Sequence, residues 1–454
     1  MKMANYSGLP QNWGQLTPAQ KREYRLNQFL NPVGVQFVSP EAAKGYKIRA
    51  QRLVDALNVR EPDRVPVSLP VGNLPFIMAG VSMHDVMYDI EKGIKACEAF
   101  NEKYSEELEY FAVPFAVPGK ALELLDYKLY SWPGHGLSVN APNYQFVEGE
   151  YMKVEEYPDL VRDPSDFWLR TYLPRVFGAF ESFRMLYPLP DILEIPTMQL
   201  MPLAFPQVQE TLQRMIDAGK EIQKRNEISG KFMASGPLAH GFPSTMGALT
   251  FAPFDAVGDT LRGTKGIMMD MFRHGDKLLK AVETMTELII HSILNAPNFA
   301  QMLTVTFPLH KGADGWMSGN QFDKFYWPSL KKVLDAFIAE GLICVLFAEG
   351  SYDTRIEKAI DFPKGSVVWW FDQSDMPRAK KILGDNCCIQ GNVPSSLIVT
   401  GTPGAVKERC AKLIETCGKG GGYILGAGCV ADDPKLDNLR AMMEAVREYG
   451  VYRK

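Results

Sequence analysis

Residue types able to do chemistry are few in this chain, and they stand at the ends of short apolar runs. Residues 302–307 lead into Pro308-Leu309-His310-Lys311-Gly312-Ala313-Asp314-Gly315-Trp316. There His310 and Asp314 can move protons, bind a metal or fix a ligand, and the glycines let backbone approach closely. Residues 343–347 run into Ala348-Glu349-Gly350-Ser351. A carboxylate at that point is costly to bury unless something cationic pairs with it, and Arg355 or Lys358 on the following segment could do so. Residues 367–371 end in Asp372, with Asp375 close behind; Ser374 or Asp375 precedes Pro377 at a helix start and reads as its cap, which makes Asp372 the better candidate for a site. Asn392 in Gly391-Asn392-Val393-Pro394 suits hydrogen bonding to a ligand. Cys429, after Gly426-Ala427-Gly428, is an accessible thiol, whereas Cys387 and Cys388 read as packing residues. His240, after the run 232–236, is a further candidate for lining a pocket.

A zinc ion takes Cys, His and carboxylate ligands and keeps an open position when catalytic. His310, Glu349 and Cys429, on three different strand ends, make one such set, although no local CxxC or HExxH accompanies them.

The elements that must position these residues follow from periodicity. Short apolar runs bounded by Gly, Pro or Asn occur at 65–71, 110–115, 146–152, 232–236, 302–307, 343–349, 367–371, 388–393 and 423–426, and each reads as a strand. Between 205 and 232, Val208, Leu212, Met215, Ile216 and Ile222 keep helical spacing. Leu330, Val333, Leu334 and Ile338 do the same between 327 and 343. Alternating buried strands and helices imply parallel βα units with right-handed crossovers. Seven or eight such units predict a (β/α)8 TIM barrel, whose reacting groups sit at the C-terminal ends of the strands. No G-x-G-x-x-G or G-x-x-x-x-G-K-[ST] supports an open nucleotide-binding sheet.

A barrel takes roughly 250 residues of the 454 present. Residues 1–64 read as a helical N-terminal arm, with Thr17 as a cap and Pro18 in a first turn, and 65–454 as the barrel. The five prolines between Tyr187 and Pro206 rule out a continuous helix there and predict an inserted lid-like excursion. The formal net charge of −4 gives no basic stripe for nucleic acid. Seven cysteines without scaffold spacing read as reduced thiols. With no apolar leader and no long uncharged apolar run, a cytoplasmic protein without a membrane span is expected.

The last third carries Gly391-Asn392-Val393-Pro394, Gly401-Thr402-Pro403 opening a helix, Gly421-Gly422-Tyr423-Ile424-Leu425-Gly426-Ala427-Gly428-Cys429 and Asn438-Leu439-Arg440-Ala441-Met442. Upstream stand Asp63-Arg64-Val65-Pro66-Val67, Tyr88-Asp89-Ile90-Glu91-Lys92 and the stretch 322–328. Together they resemble the uroporphyrinogen decarboxylase superfamily over about 51–452. The resemblance implies a (β/α)8 barrel with a deep cleft. It implies one of two chemistries: cofactor-free decarboxylation of a tetrapyrrole, or methyl exchange with a corrinoid protein in a zinc-dependent methyltransferase.

The decarboxylases hold substrate carboxylates with an arginine-rich segment after the first strand. The matching stretch here, Leu69-Pro70-Val71-Gly72-Asn73-Leu74-Pro75, has no arginine. The methyltransferases ligate zinc through H-x-C and a late cysteine; here the first place reads Phe347-Ala348-Glu349, and the second matches Cys429. A harder ligand set of His310, Glu349 and Cys429 would suit an ether or alcohol oxygen better than a thiol.

The expected function is therefore methyl transfer between a small methylated substrate and a corrinoid on a separate partner protein, since the D-x-H-x-x-G corrinoid signature is absent. The expected catalytic residues are His310, Glu349 and Asp372, with substrate held by His240, Asn392 and Asp314. Metal-free decarboxylation and non-catalytic tetrapyrrole binding are the alternatives.

Overall fold

A computed structural model describes residues 8–188, 197–245 and 247–452. Ten strands are present among them: β1 (Val67–Ser68), β2 (Tyr130–Pro133), β3 (Gly136–Leu137), β4 (Gln145–Phe146), β5 (Ala248–Leu249), β6 (Thr304–Leu309), β7 (Ile343–Ala348), β8 (Val367–Phe371), β9 (Cys388–Gln390) and β10 (Tyr423–Gly426). Seven form one sheet in the order β1-β10-β9-β8-β7-β6-β5, every neighbour parallel. Helices cross between successive strands, as parallel pairing requires. The fold is the α/β barrel type that the periodicity predicts.

Three of the expected strands differ. Residues 110–115 form no ladder; at Ala112 the backbone N–H and C=O are instead satisfied by the Asn101 side chain, at 2.7 and 2.9 Å. Residues 232–236 are the end of the helix Pro206–Met233 and the π turn Ala234–Leu238. A short apolar run looks the same in a strand and in a buried helix end, and Phe232 packs its ring 6.2 Å from Phe111. Of 146–152, only Phe146 pairs, antiparallel to β2 in a separate three-stranded sheet, while Tyr151 and Met152 bond to Leu261. Within the Tyr187 to Pro206 excursion, residues 189–196 lie outside the described residues, and the described remainder is a short helix Thr197–Leu200 with a 3-10 turn Met201–Ala204.

The two helices of the N-terminal arm are α1 (Pro18–Leu30) and α2 (Pro40–Leu57). Thr17 caps α1 in a reciprocal capping box with Gln20, as its sequence dictates. Both helices cover the N-terminal end of the sheet. Leu26, Val54, Ala56 and Leu57 cluster with Leu303, Ile343, Val368, Cys388 and Ile424, the inward residues at the starts of the strands. Arg25, 2% exposed, donates to the carbonyls of Phe299, Met302 and Glu340, and its guanidinium lies between the rings of Trp13 and Phe299. The floor is thus sealed and chemistry is left to the opposite face. Among the described residues no helix is long and apolar enough to cross a membrane.

Candidate functional site

Side chains alternate along a strand, so residues 345, 347 and 349 share one face of β7 and its extension, and 368, 370 and 372 share that of β8. Ladder pairing sets Phe347 opposite Trp370 and Ala348 opposite Phe371. The next residues outward, Glu349 and Asp372, therefore meet at the C-terminal mouth. Asp372 accepts from the Gly350 N–H at 3.1 Å, and its own N–H donates to Ala348 O at 3.3 Å. Directly beneath, Phe347 and Trp370 stack with centroids 4.2 Å apart.

His310 follows the last residue of β6 and reaches the same mouth. Its Nδ1 donates to Asp259 Oδ2 at 2.6 Å, while Nε2 lies 3.8 Å from Glu349 Oε2. Lys311 Nζ donates to the other Asp259 oxygen, also at 2.6 Å. One carboxylate thus holds two cations. A second one, Asp255, fully buried, fixes the backbone beneath them: it accepts the N–H groups of His310 and Lys311 at 3.0 Å each and the Tyr326 hydroxyl at 2.6 Å. Asp255 and Asp259 stand four apart on the helical segment after β5, one face of a single turn. Gly258 lies between them, and a Cβ there would come within 2.8 Å of the Lys311 stem; the glycine leaves the passage that Lys311 uses.

The electrostatics follow from these contacts. Burial pushes the Asp259 carboxyl up, but the bonds and charges of His310 and Lys311 outweigh it and hold Asp259 below its ordinary value. Burial alone would lower the His310 imidazole; the Asp259 hydrogen bond and charge reverse this and raise it. Glu349 is raised by burial, with Asp372 and Asp259 adding to the shift and His310 opposing it. Asp255 is pushed up to about 7 by burial and the neighbouring Asp259 charge. An imidazole held by a carboxylate, its second nitrogen facing an elevated carboxyl, can carry a proton to or from a ligand in the mouth.

Of the residues the sequence singles out, the structure brings His310, Glu349 and Asp372 to this mouth. Glu349 does not pair with Arg355 or Lys358: Arg355 faces Asp314 and Lys358 faces Asp323. Asp314 is a clasp between two loops, accepting from Ser351 and from the N–H and hydroxyl of Thr354. Asn392, 5% exposed, spends its amide on the carbonyls of Asp372 and Ser374 and on Arg409; it steadies the β8 end rather than facing the cleft. His240 precedes β5, at the floor; its Nδ1 bonds Gly236 O and its ring lies tilted against Phe111 with centroids 5.3 Å apart, with Ala239 and Gly241 tied to the arm through Val38 and Arg49.

Cys429 shares a hydrogen bond with Ser395 at 3.3 Å. Among the described residues no three His, Cys, Asp or Glu side chains gather as metal ligands, so the set of His310, Glu349 and Cys429 does not fit a zinc ion as it stands. The ring nitrogens of His310 are divided: Nδ1 is committed to Asp259, and Nε2 faces Glu349.

The sequence reading does not single out Asp255, Asp259, Lys311 or Tyr326. Their signal was the i, i+4 pair of aspartates in the otherwise apolar stretch Pro253-Phe254-Asp255-Ala256-Val257-Gly258-Asp259.

The family model for uroporphyrinogen decarboxylase matches residues 242–449, which carry every residue of the mouth. Among solved structures, a methyltransferase from Methanosarcina mazei superposes with a TM-score of 0.54 at 16% identity, covering 88% of this chain and 98% of that one. At that identity the likeness is one of fold. No curated protein matches the chain.

Proposed function

Since residues 242–449 match the uroporphyrinogen decarboxylase family model, we propose that the protein is a methyltransferase of that superfamily, moving a methyl group between a small methylated substrate and a corrinoid carried by a partner protein. The observation that carries the reading is the Asp259–His310–Glu349 line at the mouth, with 2.6 Å between the first pair and 3.8 Å between the second. His310, kept protonated beyond the ordinary imidazole range, donates from Nε2 to the heteroatom that gives up its methyl, and Glu349 stands ready to return that proton. Asp372 orients the substrate from the β8 end. Lys311 fixes Asp259 and hence the imidazole tautomer. The corrinoid supplies the methyl acceptor when its carrier docks at the mouth.

Against tetrapyrrole decarboxylation, the stretch after β1 offers no cation for several substrate carboxylates. Gly72 of that stretch instead packs against the backbone of Ala431 and Asp432, and the Asn73 N–H bonds Asp432 O. Decarboxylation by the same His310 and Glu349 pair is the second reading, since such a relay suits any proton transfer.

The test is incubation of the purified protein with a reduced corrinoid protein and a panel of O- and N-methyl donors, following the corrinoid absorption band. Methylation that depends on His310 is the expected result. No methylation with any donor, together with release of carbon dioxide from a carboxylated substrate, would replace this reading with the second.

A further inference from the structure

We propose a second ligand site, apart from the mouth, that takes a free amino acid as its zwitterion. The site is a cleft of about 330 Å³ between the helix Met376–Leu383, which follows β8, and the helix Pro403–Cys417, which leads to β10. Ligand cavities begin near this size, so the occupant is small. Its walls carry opposite charge. Arg409 and Lys412 stand one turn apart on one face of the second helix, and Asp353 and Asp375 line the cleft from the loops after β7 and β8. Among the described residues none of these four side chains belongs to an ion pair, although both signs border one space.

Each wall keeps capacity for a ligand. Arg409 uses only Nη2 within the chain, on the side-chain and backbone oxygens of Asn392 at 2.9 and 3.4 Å, and its Nε is buried without a partner. Asp375 accepts the Arg378 N–H at 3.0 Å; Asp353 accepts the Asp375 N–H at 2.9 Å and the Ser351 hydroxyl at 3.2 Å. An ionised carboxylate offers about four lone-pair sites, so both can still take an ammonium. Between the walls Ser374, 3% exposed, accepts the Tyr352 N–H at 2.8 Å and has its own proton left to donate. Met376 and Leu413, both buried, add apolar surface. An amino acid answers all of this at once. Its carboxylate meets Arg409, Lys412 and the Ser374 hydroxyl, its ammonium donates to Asp353 and Asp375, and its side chain lies on Met376 and Leu413. A bare anion would meet the two aspartates and a bare amine the two cations, each a like-charge cost. None of His310, Glu349 or Asp372 lines the cleft, so the site stands whether or not the mouth transfers methyl groups.

Calorimetric titration of the full chain compares L-valine with 3-methylbutanoate, which lacks its amine, isobutylamine, which lacks its carboxylate, and inorganic phosphate. L-Valine is expected to bind at least about tenfold more tightly than any of the three, because each forfeits the charged hydrogen bonds of one wall. Lys412→Met and Asp375→Asn are each expected to weaken L-valine binding by about tenfold. Their melting curves should match that of the unaltered protein, since Lys412 is exposed and asparagine caps a helix as aspartate does. Binding of 3-methylbutanoate or phosphate as tight as that of L-valine would make the cleft a plain anion site and overturn the proposal. So would L-valine binding that survives both substitutions unchanged, or no L-valine binding by the unaltered protein up to roughly 10 mM.

Discussion

Replacing Asp259 by asparagine tests the centre of the site. The side chain keeps its shape and loses the charge that holds His310 Nδ1 and Lys311 Nζ, each at 2.6 Å. The Lys311 side chain is 9% exposed, and removing one partner of a buried pair costs about 3–5 kcal/mol. The asparagine carbonyl and the Trp316 ring, 5.8 Å from the ammonium, recover a part, leaving a loss of about 2–4 kcal/mol. For His310, the largest opposing contribution disappears while burial and the weaker Asp255 and Glu349 charges remain, so its pKa falls. An acid must be protonated to act. The alkaline limb of kcat therefore moves to lower pH, and the rate at neutral pH falls by about 10²–10⁴. Stability responds with the same sign. His310 binds its proton more tightly folded than unfolded, so its contribution is complete below the ordinary imidazole pKa and is lost as pH rises through the raised one. The unaltered protein loses that contribution over this window and the variant has less of it to lose. Urea melts across the window and a kcat profile on the same preparations measure both effects. An unmoved alkaline limb with an unchanged midpoint would refute the assignment of Asp259 as the partner of His310.

Asp255, near 7 in the fold against an ordinary 3.8, binds a proton in the native state that the unfolded chain lacks between those values, so stability falls as pH rises across them. Asp255→Asn should flatten part of that fall. It should also cost about 1–3 kcal/mol at the acid end, because its NH2 must face a donor that Asp255 now accepts; denaturant titrations at several pH values read both effects. Glu349→Gln removes one of the charges that raise His310, and at 3.8 Å rather than 2.6 Å it should shift the alkaline limb the same way but less than Asp259→Asn, as a pH–rate profile will show. Asn392→Leu should lower stability by about 2–4 kcal/mol by orphaning two carbonyls and part of Arg409, measured by thermal or urea melting. Arg25→Met should cost about 3–5 kcal/mol, since three backbone carbonyls lose their donor, while kcat stays near that of the unaltered protein because the floor lies opposite the mouth.

The alternation of apolar runs with helical segments was enough to predict the parallel α/β architecture, because burial on both faces of β6, β7 and β8 demands uninterrupted apolar stretches such as Ile343–Ala348. The same rule placed Glu349 and Asp372 at strand ends, and with His310 these are the three that meet. It failed at 232–236, where the side chains of a helix end and of a strand are equally apolar, and at 110–115, where Asn101 rather than a neighbouring strand satisfies the backbone.

What sequence alone determined is local: which runs are buried, where they stop, that Thr17 starts a helix, and that carboxylates and a histidine stand at the stops. What tertiary structure decided is partnership. That His310 takes Asp259 from the preceding βα unit, that Glu349 turns from Arg355 towards His310, that Asn392 is consumed by backbone and that Cys429 bonds Ser395 depend on the register of neighbouring strands and the path of loops. Hydrogen bonds and charge pairs act over a few ångströms, and residues fifty positions apart come within that range only after the sheet has set their heights.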